Sequence, residues 1–155
     1  MPTIGEPAPD FALPNQYEQI VRLSDFRGQR VVLFTFPQAN TPGCNTQACR
    51  FRDEFPYIEN LNAVVLGISD DSPADLLKWK QLKRLPYDLL SDTDHQVMQA
   101  WGVWGQNILG IATLPLGQRS YWEIDENGVI VDGQAGVRPV DSVMKALKAL
   151  RNLDR

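Results

Sequence analysis

Two unbroken apolar runs dominate the hydrophobic pattern of the chain. Val31-Val32-Leu33-Phe34-Thr35-Phe36 and Ala63-Val64-Val65-Leu66-Gly67-Ile68-Ser69 are rich in β-branched and aromatic residues. Such runs predict central strands buried on both faces, because a half-exposed strand alternates apolar with polar positions. Between them, Cys44 to about Phe55 reads as a helix stopped before Pro56, since the residue ahead of a proline is pushed out of the helical region. Ser72-Pro73 predicts a second helix start, with serine as N-cap and proline in the first helical position. That helix runs to about Arg84 with Leu76, Leu77, Trp79 and Leu82 on its apolar side. A short strand is expected at Tyr87 to Leu90, then a helix through Val97, Met98 and Trp101. The Asn127-Gly128 pair predicts a hairpin joining Arg119–Ile124 to Val129–Gln134. A closing helix from about Val140 to Leu153 puts Val143, Ala146, Leu147 and Leu150 on one face, with Asp141 and Ser142 in its first turn. The first thirty residues, rich in proline and polar groups, read as extended chain or a small hairpin around Phe11-Ala12-Leu13 and Ile20-Val21-Arg22-Leu23.

Strands separated by helices imply parallel pairing, and the late hairpin adds antiparallel strands. The expected class is α/β, a mixed central sheet with helices on its faces. Repeats, low-complexity stretches and linkers are absent from the sequence, so residues 1–155 are expected to form one domain.

Composition narrows the function. The net charge of -4 argues against a nucleic-acid binder, which usually shows a basic patch. Apolar stretches fall short of the roughly 20 residues that span a bilayer. Met1-Pro2-Thr3-Ile4-Gly5-Glu6 lacks the basic-then-apolar order of a secretory signal, so the expected location is the cytoplasm. There, two cysteines more often do chemistry than form a permanent staple. With one histidine and two cysteines, the chain is short of the donors of a structural zinc site, and it carries neither common phosphate loop; no metal or cofactor is expected. His95 could in principle pair with a cysteine, but its place at a helix start in Ser91-Asp92-Thr93-Asp94-His95 reads as a surface histidine.

The chemistry-bearing feature is Thr41-Pro42-Gly43-Cys44, with Cys49 five positions on. A turn of proline and glycine sets the Cys44 thiol in the first turn of a helix. Unpaired N–H groups and the positive end of the helix dipole there favour thiolate over thiol. A free thiol titrates near pH 8.5, and attack on an O–O bond needs the anion. The sequence therefore points to a thiol-based enzyme, with Cys44 just past the carboxyl end of the first long strand, where such sheets place their sites.

Pro37-Gln38-Ala39-Asn40-Thr41-Pro42-Gly43-Cys44 fits the peroxiredoxin pattern of proline, three residues, threonine, two residues, cysteine. Ala48-Cys49-Arg50-Phe51-Arg52-Asp53 resembles the Q subfamily, the bacterioferritin comigratory proteins. Gly5-Glu6-Pro7-Ala8-Pro9-Asp10-Phe11, Gly67-Ile68-Ser69-Asp70-Asp71-Ser72, Leu89-Leu90-Ser91-Asp92, Gly102-Val103-Trp104 and Arg119-Ser120 extend the likeness almost end to end. The resemblance implies a thioredoxin-like fold and reduction of hydroperoxides, recycled by thioredoxin or a similar dithiol. By position, Cys44 matches the peroxidatic cysteine and Cys49 the resolving one. Thr41 and Pro37 match pocket residues, and Arg119 the arginine beside the thiolate. Each has a plainer reading too: Arg119 as a surface ion pair, Thr41 as a cap or turn residue, Pro37 as a strand terminator. Phe36 and the tryptophans read as core.

Residues five apart in a helix are separated by about 7.5 Å along the axis and point about 140° apart. A disulfide rarely tolerates Cα atoms more than about 7 Å apart. A Cys44–Cys49 bond therefore requires at least one turn to unwind. With the resolving cysteine in the same chain, a monomer is expected. Three departures from the family stand out: Gln38 for the usual lysine, Gln47 for glutamate and Asn45 for threonine. An alternative reading is a redox-sensing or chaperone-like binding protein that uses the same disulfide as a switch. A thiol–disulfide oxidoreductase ranks last, since its Cys-x-x-Cys spacing is absent.

Overall fold

A computed structural model describes residues 2–154; Met1 and Arg155, which the single-domain expectation includes, lie outside them. In chain order the first elements are β1 (Ala12–Pro14), β2 (Ile20–Arg22), a 3₁₀ turn (Leu23–Phe26), β3 (Arg30–Thr35) and α1 (Pro42–Asn60). Next come β4 (Ala63–Ser69), α2 (Pro73–Lys83), β5 (Asp88–Ser91), α3 (Gln96–Ala100), β6 (Trp104–Ile108) and β7 (Ala112–Gly117). The last are β8 (Ser120–Ile124), β9 (Ile130–Ala135) and α4 (Pro139–Leu153).

A five-stranded sheet in the order β5-β4-β3-β8-β9 forms the centre. β3, β4 and β5 run parallel; β8 pairs antiparallel with β3, with Thr35 opposite Ser120, and β9 pairs antiparallel with β8. Side chains alternate along β3 as the pleat demands. Val32 and Phe34 enter a core with Phe36, Phe51, Ile58, Trp79 and the buried face of α4. Val31 and Leu33 enter a second core on the other side, with Leu23, Met98, Trp101 and Trp122. Helices α1, α2 and α4 therefore cover one face, and the N-terminal segment and α3 the other. Among the described residues, no helix is long and apolar enough to cross a membrane.

Two expectations are corrected, and one hairpin lies outside them. α1 begins at Pro42 and passes through Pro56 instead of stopping before it. Pro56 is solvent-exposed and forfeits one helical hydrogen bond, while Phe51 and Ile58 on either side are buried and hold the helix to the core. Leu82, expected on the apolar side of α2, is 63% exposed, because Leu76 and Trp79 alone turn fully to the core. The hairpin of β6 and β7 was not anticipated. Its turn uses Leu109 and Gly110 at positive φ rather than Asn-Gly, and Leu109 is 90% exposed at the tip.

Candidate active site

β3 carries the chain to the carboxyl edge of the sheet, where Phe36 is buried and Pro37 begins the loop to α1. Asp71, just past β4, pins that loop: its Oδ2 accepts from the Ala39 N–H at 2.8 Å and the Ser69 hydroxyl at 2.7 Å. Burial pushes the Asp71 carboxyl up, and these two bonds pull against that rise. Thr41 sits at the N-cap with extended dihedrals, but its hydroxyl does not cap. It donates instead to the Gln38 carbonyl at 2.9 Å. Pro42 takes the first helical position, which places Cys44 in the first turn of α1, fully buried.

Arg119 reaches the sulfur from the segment before β8. Both of its terminal nitrogens lie 3.5 Å from Cys44 Sγ. Its Nη1 also donates to Gln47 Oε1 at 2.8 Å, one turn along α1. The glutamine that stands in place of glutamate thus still orients the guanidinium, without charge, while its buried Nε2 has no partner among the described residues. Gly43 makes the approach possible: a Cβ there would stand 2.8 Å from Arg119 Nη2.

The arginine's backbone is fixed from several directions. Its carbonyl accepts from the Gly136 N–H at 2.8 Å and the Val137 N–H at 3.2 Å. A buried hydrogen-bond chain runs beside it in one direction. The Trp122 indole donates to Ser120 Oγ at 3.0 Å, the Ser120 and Thr35 hydroxyls bond to each other, and Thr35 donates to the Gln118 carbonyl at 2.7 Å. Aligned donors of this kind polarise one another and stiffen the segment. Arg119 also joins Pro37, Gln106, Asn107, Gln118, Gly136 and Val137 around an open pocket of about 450 Å³. The structure therefore brings Cys44, Arg119 and, through the pocket, Pro37 to one place.

Cys49 lies five residues further along α1, partly buried, and both cysteines are free. Tyr87 is its electrostatic neighbour: burial pushes the phenol up and Cys49 adds to the rise, while the hydroxyl donates to the Ala48 carbonyl at 2.7 Å. His95 is the N-cap of α3, stacked on Trp104 at 3.7 Å with Asp70 at 3.5 Å. Gln38, which stands where lysine is usual, is not among the residues that line the Arg119 pocket. It lines a separate groove with Asp71, Asp75, Lys78 and Trp79. Sequence reasoning missed Gln106, Asn107 and Gln118 as pocket walls, because nothing in their spacing foretold the β6–β7 hairpin that carries two of them. Among the described residues, no three or more His, Cys, Asp or Glu side chains are grouped to hold a metal ion.

The AhpC/TSA family matches residues 4–132. Peroxiredoxin Bcp of Bacillus subtilis is 36% identical over 156 residues, covering 97% of this chain and 96% of the relative. Peroxiredoxin Bcp of Escherichia coli is 42% identical over 126 residues, 81% of each chain. A cysteine-to-serine mutant of Xylella fastidiosa PrxQ superposes with a TM-score of 0.92 at 25% identity, covering 100% of this chain and 99% of the other. Peroxidoxin BcpB from Mycobacterium tuberculosis superposes with a TM-score of 0.88 at 33% identity, covering 99% of each. The fold is thioredoxin-like, as expected.

Proposed function

The chain belongs to the AhpC/TSA family and is a Q-type peroxiredoxin of the Bcp group, a thiol-dependent peroxidase; from that premise we propose that it reduces hydrogen peroxide and organic hydroperoxides by a two-cysteine cycle within one chain. The Cys44 thiolate attacks the peroxide. An S–O bond forms, the O–O bond breaks, and the electron pair leaves with the departing oxygen, which takes a proton to become water or alcohol. Arg119 holds sulfur and peroxide oxygen together and offsets the charge moving onto the leaving oxygen. Gln47 keeps the guanidinium on station. Pro37 walls the pocket and limits water at the new sulfenate, and Thr41 completes the loop on the approach side.

Cys49 then attacks the Cys44 sulfenic acid after the first turns of α1 unwind; an S–S bond forms and water leaves. A thioredoxin-like dithiol returns two electrons and restores both thiols. The resolving cysteine in the same chain supports a monomer of one domain; a working pair of thiols suits the reducing cytoplasm, and the net charge of -4 supports a reading without a nucleic-acid or membrane partner.

The observation that carries this reading is the Arg119 guanidinium, with two nitrogens at 3.5 Å from a buried sulfur in a first helical turn. The test is intact mass after one equivalent of hydrogen peroxide. Wild type loses two hydrogens, Cys49→Ser gains oxygen, and Cys44→Ser reacts slowly or not at all. An unchanged wild-type mass refutes the reading.

A further inference from the structure

Asn45 follows Cys44 directly and lies between the two cysteines. Its Oδ1 accepts a hydrogen bond from the Trp79 indole N–H at 2.6 Å. An indole N–H only donates, so the amide oxygen is the atom that faces it. Its Nδ2 reaches back to Asn40 Oδ1 at 3.3 Å, across the loop that leads into α1. Trp79 is 1% exposed and packs on Phe36, ring centroids 4.9 Å apart. The helix that carries it is well anchored: Ser72 caps α2 by accepting from the Asp75 N–H at 3.2 Å, and Pro73 opens it. The bond thus ties a turn that must unwind to a helix that is held.

Disulfide formation cannot spare this contact. Closing the gap between Cys44 and Cys49 unwinds the residues between them, and Asn45 leaves its place over α2. The indole N–H then loses its acceptor, so the first turns of α1 give up this bond before the two sulfurs can meet.

We propose that the Asn45–Trp79 hydrogen bond is a latch that sets how long the Cys44 sulfenic acid persists before Cys49 reaches it. Asn45 and Trp79 are positioning residues for the resolving step, and this role rests on the two-cysteine cycle proposed above. Two reactions compete for the sulfenic acid. Condensation with Cys49 gives the disulfide and water. A second peroxide, the enzyme's own substrate, transfers an oxygen to sulfur and leaves as water or alcohol, giving the dead-end sulfinic acid. By slowing the first, the latch raises the share of the second. Weakening it protects the enzyme from excess peroxide.

The test separates the two steps by stopped-flow in Trp79→Phe, Asn45→Ala and the double variant. The phenylalanine keeps the ring against Phe36 and removes only the donor. Its peroxide-independent, first-order disulfide step is expected to be about five-fold faster, the factor of one net hydrogen bond. The gain in Asn45→Ala is smaller, because alanine favours the helix that must melt. Adding Asn45→Ala to Trp79→Phe brings no further acceleration, the peroxide-dependent step stays at the wild-type rate in all three, and intact mass shows less sulfinic acid at a given peroxide excess. An unchanged or slower disulfide step in both single variants overturns the latch, and so does independent addition of the two effects or a parallel change in the peroxide step. A Trp79→Phe protein that fails to fold leaves Asn45→Ala, at a partly exposed helix position, to decide. Wild type that forms no intramolecular disulfide overturns the two-cysteine cycle itself, an outcome distinct from failure of the latch alone.

Discussion

Replacing Gly43 by alanine tests the contact between Arg119 and Cys44 without altering either residue. The new Cβ would stand 2.8 Å from Arg119 Nη2, so the guanidinium must retreat by about 0.6 Å to reach the 3.4 Å of an ordinary contact. The atom in the way is the tip of a flexible side chain, which yields more readily than backbone. Its distance to Cys44 Sγ grows from 3.5 Å to about 4.1 Å. At an effective dielectric of about 20, a unit positive charge moved that far from a sulfur anion gives up about 0.7 kcal/mol, or about three-fold in rate. Loss of one charge-assisted hydrogen bond, about 1.5 kcal/mol, extends the drop to about forty-fold. The fold responds in the opposite direction, since alanine favours a helix over glycine by up to about 1 kcal/mol. Stopped-flow oxidation by hydrogen peroxide and a thermal melt read the two effects separately. The expected signature is a slower enzyme with an equal or higher melting temperature. A wild-type rate in the folded variant, or a rate that falls only together with the melting temperature, refutes the reasoning.

Gln47→Leu removes the acceptor 2.8 Å from Arg119 Nη1 and should slow peroxide oxidation by about ten-fold, the scale of one hydrogen bond to a charged group; the same stopped-flow assay with a melt to verify folding checks it. Thr35→Val cuts the one-way chain between Trp122 and Gln118 and should cost about 1–3 kcal/mol, lowering the melting temperature by roughly 2–4 °C per kcal/mol; an unchanged melt counts against the chain. Glu123 is fully buried on β8, and both of its carboxyl oxygens are without a hydrogen-bond partner among the described residues. Burial, aided by Asp132, raises its pKa well above 4.5, against a lowering effect of Arg30. A raised folded value means that this group favours the fold most below the unfolded pKa, and that this contribution is lost as pH climbs towards the folded one, by up to about 1.4 kcal/mol per pH unit. Urea unfolding should therefore show Glu123→Leu gaining on wild type between pH 5 and pH 8; a constant gap rejects the buried carboxyl as the cause.

The central strands were legible because β3 and β4 are buried on both faces and their runs are almost wholly apolar and β-branched or aromatic, with Thr35 the one polar side chain inside the run of β3. Cys44 was legible from its turn, and Arg119 from the family likeness, since nothing local in Gln118-Arg119-Ser120 announces a partner 75 positions away. Thr41 shows where local reading stops: its N-cap position follows from sequence, but its hydroxyl chooses the Gln38 carbonyl over the helix. Gln47 read as a loss of charge. Only the packed geometry reveals that an amide oxygen still meets the guanidinium. β7 was hidden by Pro115 and by a turn on Leu109. An edge strand of a two-stranded sheet tolerates both, and neither carries a hairpin signature.

Pro56 gives α1 a built-in firebreak. Each level of a helix is spanned by about three to four parallel hydrogen bonds, and the missing N–H removes the one to the Arg52 carbonyl. The length from Pro42 to Phe55 carries both cysteines; the length beyond is clamped by buried Ile58 against the core. Melting spreads along a helix because each broken bond frees the next, and here the spread meets a level where the linkage is already thin and the far side is held. On the two-cysteine cycle proposed above, a stub of formed helix is expected to outlast the oxidised half. On reduction the turns around Cys44 would then regrow from that stub and skip the unfavourable nucleation of a new helix. The residue that reads as a full stop in the sequence would thus preserve the template on which the site is rebuilt.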